Sequence, residues 1–185
     1  MLPPLQLRFD ALETRRTHLI AELVALAPAQ IAFHPAPGAW SLPDVAQHLS
    51  LVDARTTRVL TERRVTGIPR RTLGDVFYRA PKLGFYFGAH FIRAKMPVKG
   101  VAPDPPQPLA DTAAKWEATR ASLAAYLAEI DDARARAIVY RHPVGGFMDI
   151  FDTLRFLTRH HDHHLRQTVR IRRAPGFPVT GPRGA

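Results

Sequence analysis

The sequence predicts an all-α protein, a four-helix bundle with one long crossover between its second and third helices. Apolar residues recur at spacings of three and four in four separate segments, which is the period of an amphipathic helix. About 46 residues separate the second segment from the third, enough to run the length of a bundle and leave those two helices parallel. We expect residues 1–175 to form one domain and residues 176–185 a loose tail.

Composition limits the chemistry that the chain can use. A hydrophobic fraction of 46% and a charged fraction of 23% are ordinary for a globular protein of 185 residues. There is no cysteine, so disulfides and thiolate metal sites are excluded, and any metal must be held by histidine, carboxylate and water. Neither a secretory signal at Met1–Asp10 nor a run of about 18 apolar residues occurs, which predicts a cytoplasmic protein with no membrane partner.

The chain is strongly basic. Its formal net charge is +10, and 22 of its 26 basic residues are arginine. Such a charge is typical of proteins with a nucleic-acid or other anionic partner. The basic residues are spread along the chain, however, and form no compact recognition arm. A solvated arginine-rich surface is therefore the favoured interpretation, and a nucleic-acid partner is not expected.

The first two helices are the best marked in the sequence. Apolar residues from Leu5 to Leu26 predict a first helix that ends near Pro28. The loop from Phe33 to Trp40 is rich in proline and glycine and cannot continue it. Ser41 can cap the second helix, whose first turn holds a proline and the acidic Asp44.

Beyond the second helix the pattern weakens and then recovers. Glycines and prolines interrupt an aromatic segment at 63–109, where we expect one short helix around Gly84–Lys95. The aromatic residues of this segment are expected to pack against the bundle rather than to line a substrate pocket. A third helix is expected from near Asp111 to Asp131, and a fourth from Met148 or Asp149 to Arg173.

The fourth helix holds four of the nine histidines: His160, His161, His163 and His164. Residues four apart on a helix stack on one face about 6 Å apart between Cβ atoms, so His160 and His164 can direct both imidazoles at one point. By helical angle His161 points nearer the middle of the apolar stripe, and a pair of His161 with His164 is an alternative.

A third ligand could come from His48, which lies on the apolar side of the second helix, one turn after Val45. A single histidine there is more often a core residue hydrogen-bonded to a neighbour. The presence of His160 and His164 on the fourth helix favours a metal-ligand role for His48 over a core role. Three histidines with an open position are the pattern of a catalytic zinc site, although nickel, copper and iron accept the same ligands.

Two motifs resemble those of DinB-like proteins, the superfamily of metal-binding bundles that includes the YfiT-like members. Residues 33–49, with Pro37-Gly38-Ala39-Trp40-Ser41 at the helix entry and His48-Leu49 inside it, are similar to the second-helix motif of that family. Residues 154–167, with His160 and His164 as an HxxxH pair, are similar to its fourth-helix motif. The two motifs lie near opposite ends of the chain, so the resemblance covers most of it.

The resemblance implies a bundle of down-up-up-down type, often a homodimer, with a divalent metal held by one histidine of the second helix and by the HxxxH pair. In this sequence those residues are His48, His160 and His164, and we expect the ion to be zinc or nickel. Family members of known activity are thiol-dependent transferases or isomerases, or metal-dependent hydrolases. The implied partner is thus a small-molecule substrate, with a low-molecular-weight thiol as one candidate.

Two hypotheses follow for the function. One is a metal-dependent enzyme in which the ion activates a thiol or water. The alternative is a non-catalytic, stress-related binding protein whose basic surface contacts nucleic acid. No residue is assigned a catalytic role, because Asp44, Asp149 and Asp152 are as readily helix-start charges. Since histidine must be neutral to bind a metal, metal affinity is expected to fall as the pH drops through about 6.5.

Overall fold

The structure is a computed structural model that describes residues 1–62, 100–137, 139–142 and 146–179. In these residues four long helices carry the fold, together with two short helices and a small hairpin. In chain order the elements are α1 (Pro3–Val24), α2 (Pro28–Ile31), α3 (Leu42–Glu62), α4 (Leu109–Ala128), α5 (Asp132–Arg136), β1 (Tyr140–His142), β2 (Gly146–Met148) and α6 (Ile150–Arg172). The expected bundle is confirmed, while the crossover helix around Gly84–Lys95 and its aromatic cluster lie outside the described residues.

Helix starts are fixed by local chemistry that the sequence displays. At the start of α3 the backbone N–H of Ser41 donates to the Asp44 carboxylate at 2.8 Å, and the backbone N–H of Asp44 donates to the Ser41 hydroxyl at 3.2 Å. This reciprocal pair satisfies donors that a helix start leaves free. Asp149 caps α6 by accepting from the backbone N–H of Asp152 at 2.7 Å. The carboxylates of Asp44 and Asp149 therefore act at helix starts.

Four small elements were not foreseen. α2 starts at Pro28, where the sequence indicated only the end of the first helix. α5 follows an Asp131 cap whose side chain accepts from the backbone N–H of Arg134. β1 and β2 pair antiparallel, with Tyr140 opposite Met148. Each holds five residues or fewer, too few for a periodic pattern to reveal.

α1 and α6 run in the same direction. The guanidinium carbon of Arg8 lies 5.6 Å from the ring centroid of Phe151, and Arg15 donates to Asp162 at 2.7 Å. Near the other end, Arg172 donates to Glu22 at 2.8 Å. Residues later in α1 contact residues later in α6, so the two helices are parallel.

α3 and α4 are also parallel to each other. The side chain of Gln47 accepts from the backbone N–H of Gln107 just before α4, and Asp53 accepts from Trp116 and Arg120 farther along it. α3 meets α6 in the opposite sense, because Asp53 contacts His161 while Leu60 packs in the same cluster as Ile150 and Leu154. The down-up-up-down order implied by the family resemblance is therefore present.

The core has two apolar clusters separated by a polar layer. One cluster collects residues from the start of α1, the end of α3, the end of α4 and the start of α6, and the other collects residues from the opposite ends. Between them, at the middle of each helix, lie five polar or charged residues: Glu13, Arg16, Asp53, Arg120 and His161. This layer places charge beside the functional site.

Two further observations concern the chain as a whole. At the C-terminal end the ring of Phe177 packs edge-on against that of Phe33 at 5.3 Å, and Gln30 donates to the carbonyl of Pro178. The expected boundary at 175 stays a prediction, since residues 180–185 lie outside the described part. None of the described helices has the length and apolar character needed to cross a membrane.

Candidate metal centre

The structure brings together the three histidines that the sequence singled out. His48 comes from α3, while His160 and His164 come from successive turns of α6. The Nε2 atom of His160 lies 3.3 Å from Nε2 of His48 and 3.2 Å from Nε2 of His164. One ring nitrogen from each residue lies within 4.8 Å of the other two. Their side chains thus form one cluster although His48 precedes the others by more than a hundred residues.

The spacing of the Nε2 atoms fits a shared metal ion. Zinc–imidazole bonds are about 2.0–2.1 Å long, so two ligands at a right angle place their nitrogens about 2.9 Å apart, and at a tetrahedral angle about 3.3 Å apart. The separations of 3.2 and 3.3 Å match the tetrahedral value. Three ligand nitrogens on one ion would leave a coordination position open.

Hydrogen bonds on the far side of two rings orient their lone pairs. His48 donates from Nδ1 to the carbonyl of Val101 at 2.6 Å, and His164 donates from Nδ1 to the side-chain oxygen of Gln167 at 2.8 Å. A ring that donates from Nδ1 in its neutral form has its lone pair on Nε2, which here faces the cluster. Nδ1 of His160 is buried and has no hydrogen-bond partner among the described residues.

The surroundings of all three histidines favour the neutral form. Burial lowers the pKa of His48, although its bond to the Val101 carbonyl acts in the other direction. Burial, and then the neighbouring His48, lowers the pKa of His164 to about 3. The pKa of His160 lies well below its usual range because of burial and the two adjacent imidazoles. Protonation of the folded site therefore occurs at a lower pH than the value of about 6.5 assumed from the sequence.

His161, the alternative ligand by helical angle, lies outside the cluster. Its side chain is 1% exposed, and its Nε2 atom is 3.2 Å from the nearer oxygen of Asp53. Its ring also packs against that of Trp116, with centroids 5.5 Å apart. The role of a core histidine bound to a neighbour, considered for His48, belongs to His161.

Asp53 is the residue that sequence reasoning missed. Its carboxylate is buried and accepts from the indole N–H of Trp116 at 2.5 Å and from Arg120 at 2.6 Å, besides contacting His161. Burial alone would raise its pKa, but Arg120, then His161 and the hydrogen bonds, hold that pKa below its usual range. Asp53 thus joins α3, α4 and α6 directly behind the histidine cluster. The sequence feature that could have revealed Asp53 is the position of its carboxylate on the apolar side of α3.

The segment before α4 also supports the site. Gln47 donates to the carbonyl of Pro105 at 2.8 Å and accepts from the backbone N–H of Gln107 at 2.9 Å. These two bonds hold the segment against α3, where its Val101 carbonyl meets His48. The position of one ligand thereby depends on a segment more than fifty residues away in the chain.

Aromatic rings border the cluster. The indole of Trp40 lies 4.9 Å from the ring of His48 and 6.1 Å from that of His164, between centroids, and Phe156 stacks on His160 at 5.6 Å. Trp40 also lines an open groove of about 830 Å³ between residues 34–40 and residues 102–106. The three histidines of the cluster do not line this groove, and Trp40 is the residue that borders both.

Fold and site together define a helical bundle with a three-histidine cluster that could hold a metal ion. A sequence model of the DinB superfamily matches residues 11–168, and the chain belongs to that superfamily. Among solved structures, the crystal structure of TT2238, a four-helix bundle protein, aligns with a TM-score of 0.58 over 90% of this chain and 98% of that one. Its identity to this chain is 22%, so the likeness supports the fold alone. No curated protein matches the chain.

Proposed function

We propose that the protein is a metal-dependent enzyme in which His48, His160 and His164 hold a divalent zinc or nickel ion. The observation that carries the proposal is the convergence of three histidine nitrogens within 4.8 Å of one another, with Nε2 of His160 at 3.2–3.3 Å from the other two. The Nε2 lone pairs of His48 and His164 point towards Nε2 of His160, and a cation placed among the three nitrogens would be attracted by all of them. The hydrogen bonds of His48 and His164 fix those lone pairs in this direction.

The reaction class follows from the donor set. A divalent ion held by His48, His160 and His164 with one open position would act as a Lewis acid, lowering the pKa of a bound water or thiol and polarising a substrate oxygen. Around it, Trp40 and Phe156 exclude water from the imidazoles, and Gln167 keeps His164 in its ligating tautomer. Among the described residues the cluster contains no carboxylate, so these residues offer no general base inside it.

The substrate is proposed to be a small molecule that enters from the groove beside Trp40. The groove has the volume of a ligand site, and it adjoins the cluster at the indole that touches two of the ligands. A low-molecular-weight thiol is the candidate for S-transfer, and water is the candidate for hydrolysis. On the basis of the family resemblance, the protein is also proposed to be a homodimer.

Metal content tests the ligand assignment. Purified protein should contain about one equivalent of zinc or nickel by elemental analysis, and a variant with His48, His160 and His164 all changed to alanine should contain none above background. His18→Ala is the matched control, because His18 is an exposed histidine that pairs with Glu22 on the surface of α1. Absence of metal from the parent protein, or equal loss in the control, contradicts the assignment.

Activity distinguishes the enzyme from a metal-bound scaffold. The metal-loaded protein should accelerate transfer to a small thiol, or hydrolysis of an activated ester, in proportion to its metal content. A protein that binds one equivalent of metal but shows neither activity is a scaffold, and this result rejects catalysis without affecting the ligand assignment.

A further inference from the structure

Five arginines form a straight row along the outer face of α6, the last of them at its C-cap. At about 100° per residue their positions fall within an arc of about 60°, and at 1.5 Å per residue the row is about 27 Å long. All five residues are exposed, and they are Arg155, Arg159, Arg166, Arg170 and Arg173. The arrangement that looked scattered in the sequence is, on this helix, a continuous surface. We call it the arginine row.

The charge of the arginine row is not compensated by the protein. None of its five members has an ion-pair partner within 4 Å among the described residues. The one acidic residue of α6 between Arg155 and Arg173 is Asp162, and Arg15 of α1 already binds it at 2.7 Å. Like charges four residues apart on a helix repel each other, as Arg155 with Arg159 and Arg166 with Arg170 do. An external polyanion would remove this repulsion.

The shape of the row matches a linear series of phosphates. Guanidinium groups bind phosphate oxygens through paired N–H donors, and duplex DNA presents one negative charge per about 1.7 Å of its axis. A lipid surface would require apolar or aromatic anchors as well. Val169, 45% exposed, is the one large hydrophobic residue recorded as exposed on the described part of α6. The face is therefore polar, which favours nucleic acid over lipid.

We propose that the arginine row binds the phosphate backbone of duplex DNA without reading its sequence. The row lies opposite the buried face of α6 that carries His161 and His164, so DNA binding and metal binding use different sides of one helix. This proposal does not depend on the proposed enzyme activity. For α6 alone, the DNA-binding proposal replaces the expectation of an arginine surface that contacts only solvent.

Salt dependence gives a quantitative test. Five phosphate contacts predict that log K falls with log salt with a slope of about −4.5, which is about a 500-fold loss of affinity between 50 and 200 mM salt. Changing Arg155, Arg166 and Arg170 to glutamine should make that slope shallower by about 2.7. Binding is measured by fluorescence anisotropy of a labelled duplex of random sequence, with metal-loaded protein.

A charge-matched control separates the row from net charge. Arg58, Lys115 and Arg134 are exposed basic residues on α3, α4 and α5, and their change to glutamine removes the same three charges. The control variant should keep the parent slope. Circular dichroism and metal content should be unchanged in both variants, because all six side chains are exposed.

Three outcomes would overturn the proposal. The first is no anisotropy change with duplex at 50 mM salt, and the second is an equal loss of slope in the row variant and in the control variant. The third is binding to phosphatidylglycerol vesicles or to polyglutamate with none to duplex, which would assign the row to lipid or to an acidic protein. A shallower slope in the row variant alone would support it.

Discussion

The Asp53 carboxylate offers the sharpest test of how the bundle is held together behind the histidine cluster. Changing Asp53 to Asn keeps the volume of the side chain but removes its charge. Trp116 and Arg120 lose the anion that they reach at 2.5 and 2.6 Å, and the next acidic oxygen, from Glu13, is 3.9 Å from Arg120. A guanidinium that is 3% exposed would then lack a close counter-charge.

The expected loss follows from that burial. Breaking a buried ion pair by removing one partner destabilises a protein by about 3–5 kcal/mol. In a domain of this size that corresponds to a decrease in Tm of about 6–20 °C. Urea unfolding of the metal-free protein at pH 7, followed by far-UV circular dichroism, measures the loss without a contribution from metal binding.

Two further variants make the result interpretable. Asp132→Asn removes an exposed carboxylate that pairs with Arg136, and its unfolding midpoint should equal that of the parent. Changing both Asp53 and Arg120 to leucine removes both charges and should cost less than Asp53→Asn alone. A loss below about 1 kcal/mol for Asp53→Asn would refute the reasoning, because a buried and fully engaged carboxylate cannot be so weakly coupled.

Three other predictions follow from the site and the helix starts. Because burial keeps the pKa values of His160 and His164 below those of the unfolded chain, the unfolded state binds more protons between about pH 6.5 and the folded values. The metal-free protein should therefore lose stability as the pH falls below about 6.5, and a His160→Ala/His164→Ala variant should lose less. The urea midpoint of each protein is measured from pH 7.5 to 4.5. A midpoint that falls equally steeply with pH in both proteins contradicts this prediction. Gln167→Ala should weaken zinc binding about 10–100-fold in a competition titration, because His164 loses the acceptor at Nδ1, whereas Gln6→Ala on the surface of α1 should have no effect. Ser41→Ala should destabilise the protein by about 1 kcal/mol through loss of the α3 cap, and an unchanged Tm would show that the cap is unimportant.

Much of the site could be predicted because its parts are local in the sequence. Ser41 and Asp44 mark the start of α3 by residue type alone, and from that start His48 falls on the apolar side of the helix. The spacing of His160 and His164 places two imidazoles on adjacent turns whatever the surroundings. The meeting of α3 with α6 and the choice of His160 over His161 had to be supplied from elsewhere, and the family resemblance supplied both.

The choice between His160 and His161 could not be made from periodicity. The buried face of α6 is broad, since α1 and α3 both pack against it, and the two histidines lie on opposite sides of its centre. His160 faces His48 on α3, whereas His161 faces Trp116 on α4 and the Asp53 carboxylate. Helical angle measures distance from the centre of the apolar stripe and does not say which neighbouring helix a residue meets.

Long-range partners were also beyond the sequence. Asp53 finds its donors more than sixty residues away on α4, and His48 finds its acceptor in the Val101 carbonyl. Neither partner belongs to a motif. Similarly, the alignment of five arginines on α6 became visible only once the boundaries of that helix and its buried face were known.

The central claim is that a divalent ion binds among His48, His160 and His164. Anomalous diffraction at the zinc edge, from crystals of the zinc-loaded protein, tests it most directly. A single peak at about 2.0–2.1 Å from the Nε2 atoms of all three residues is the expected result. A peak bound to His161 in place of His160, or no peak at saturating zinc, would contradict the claim.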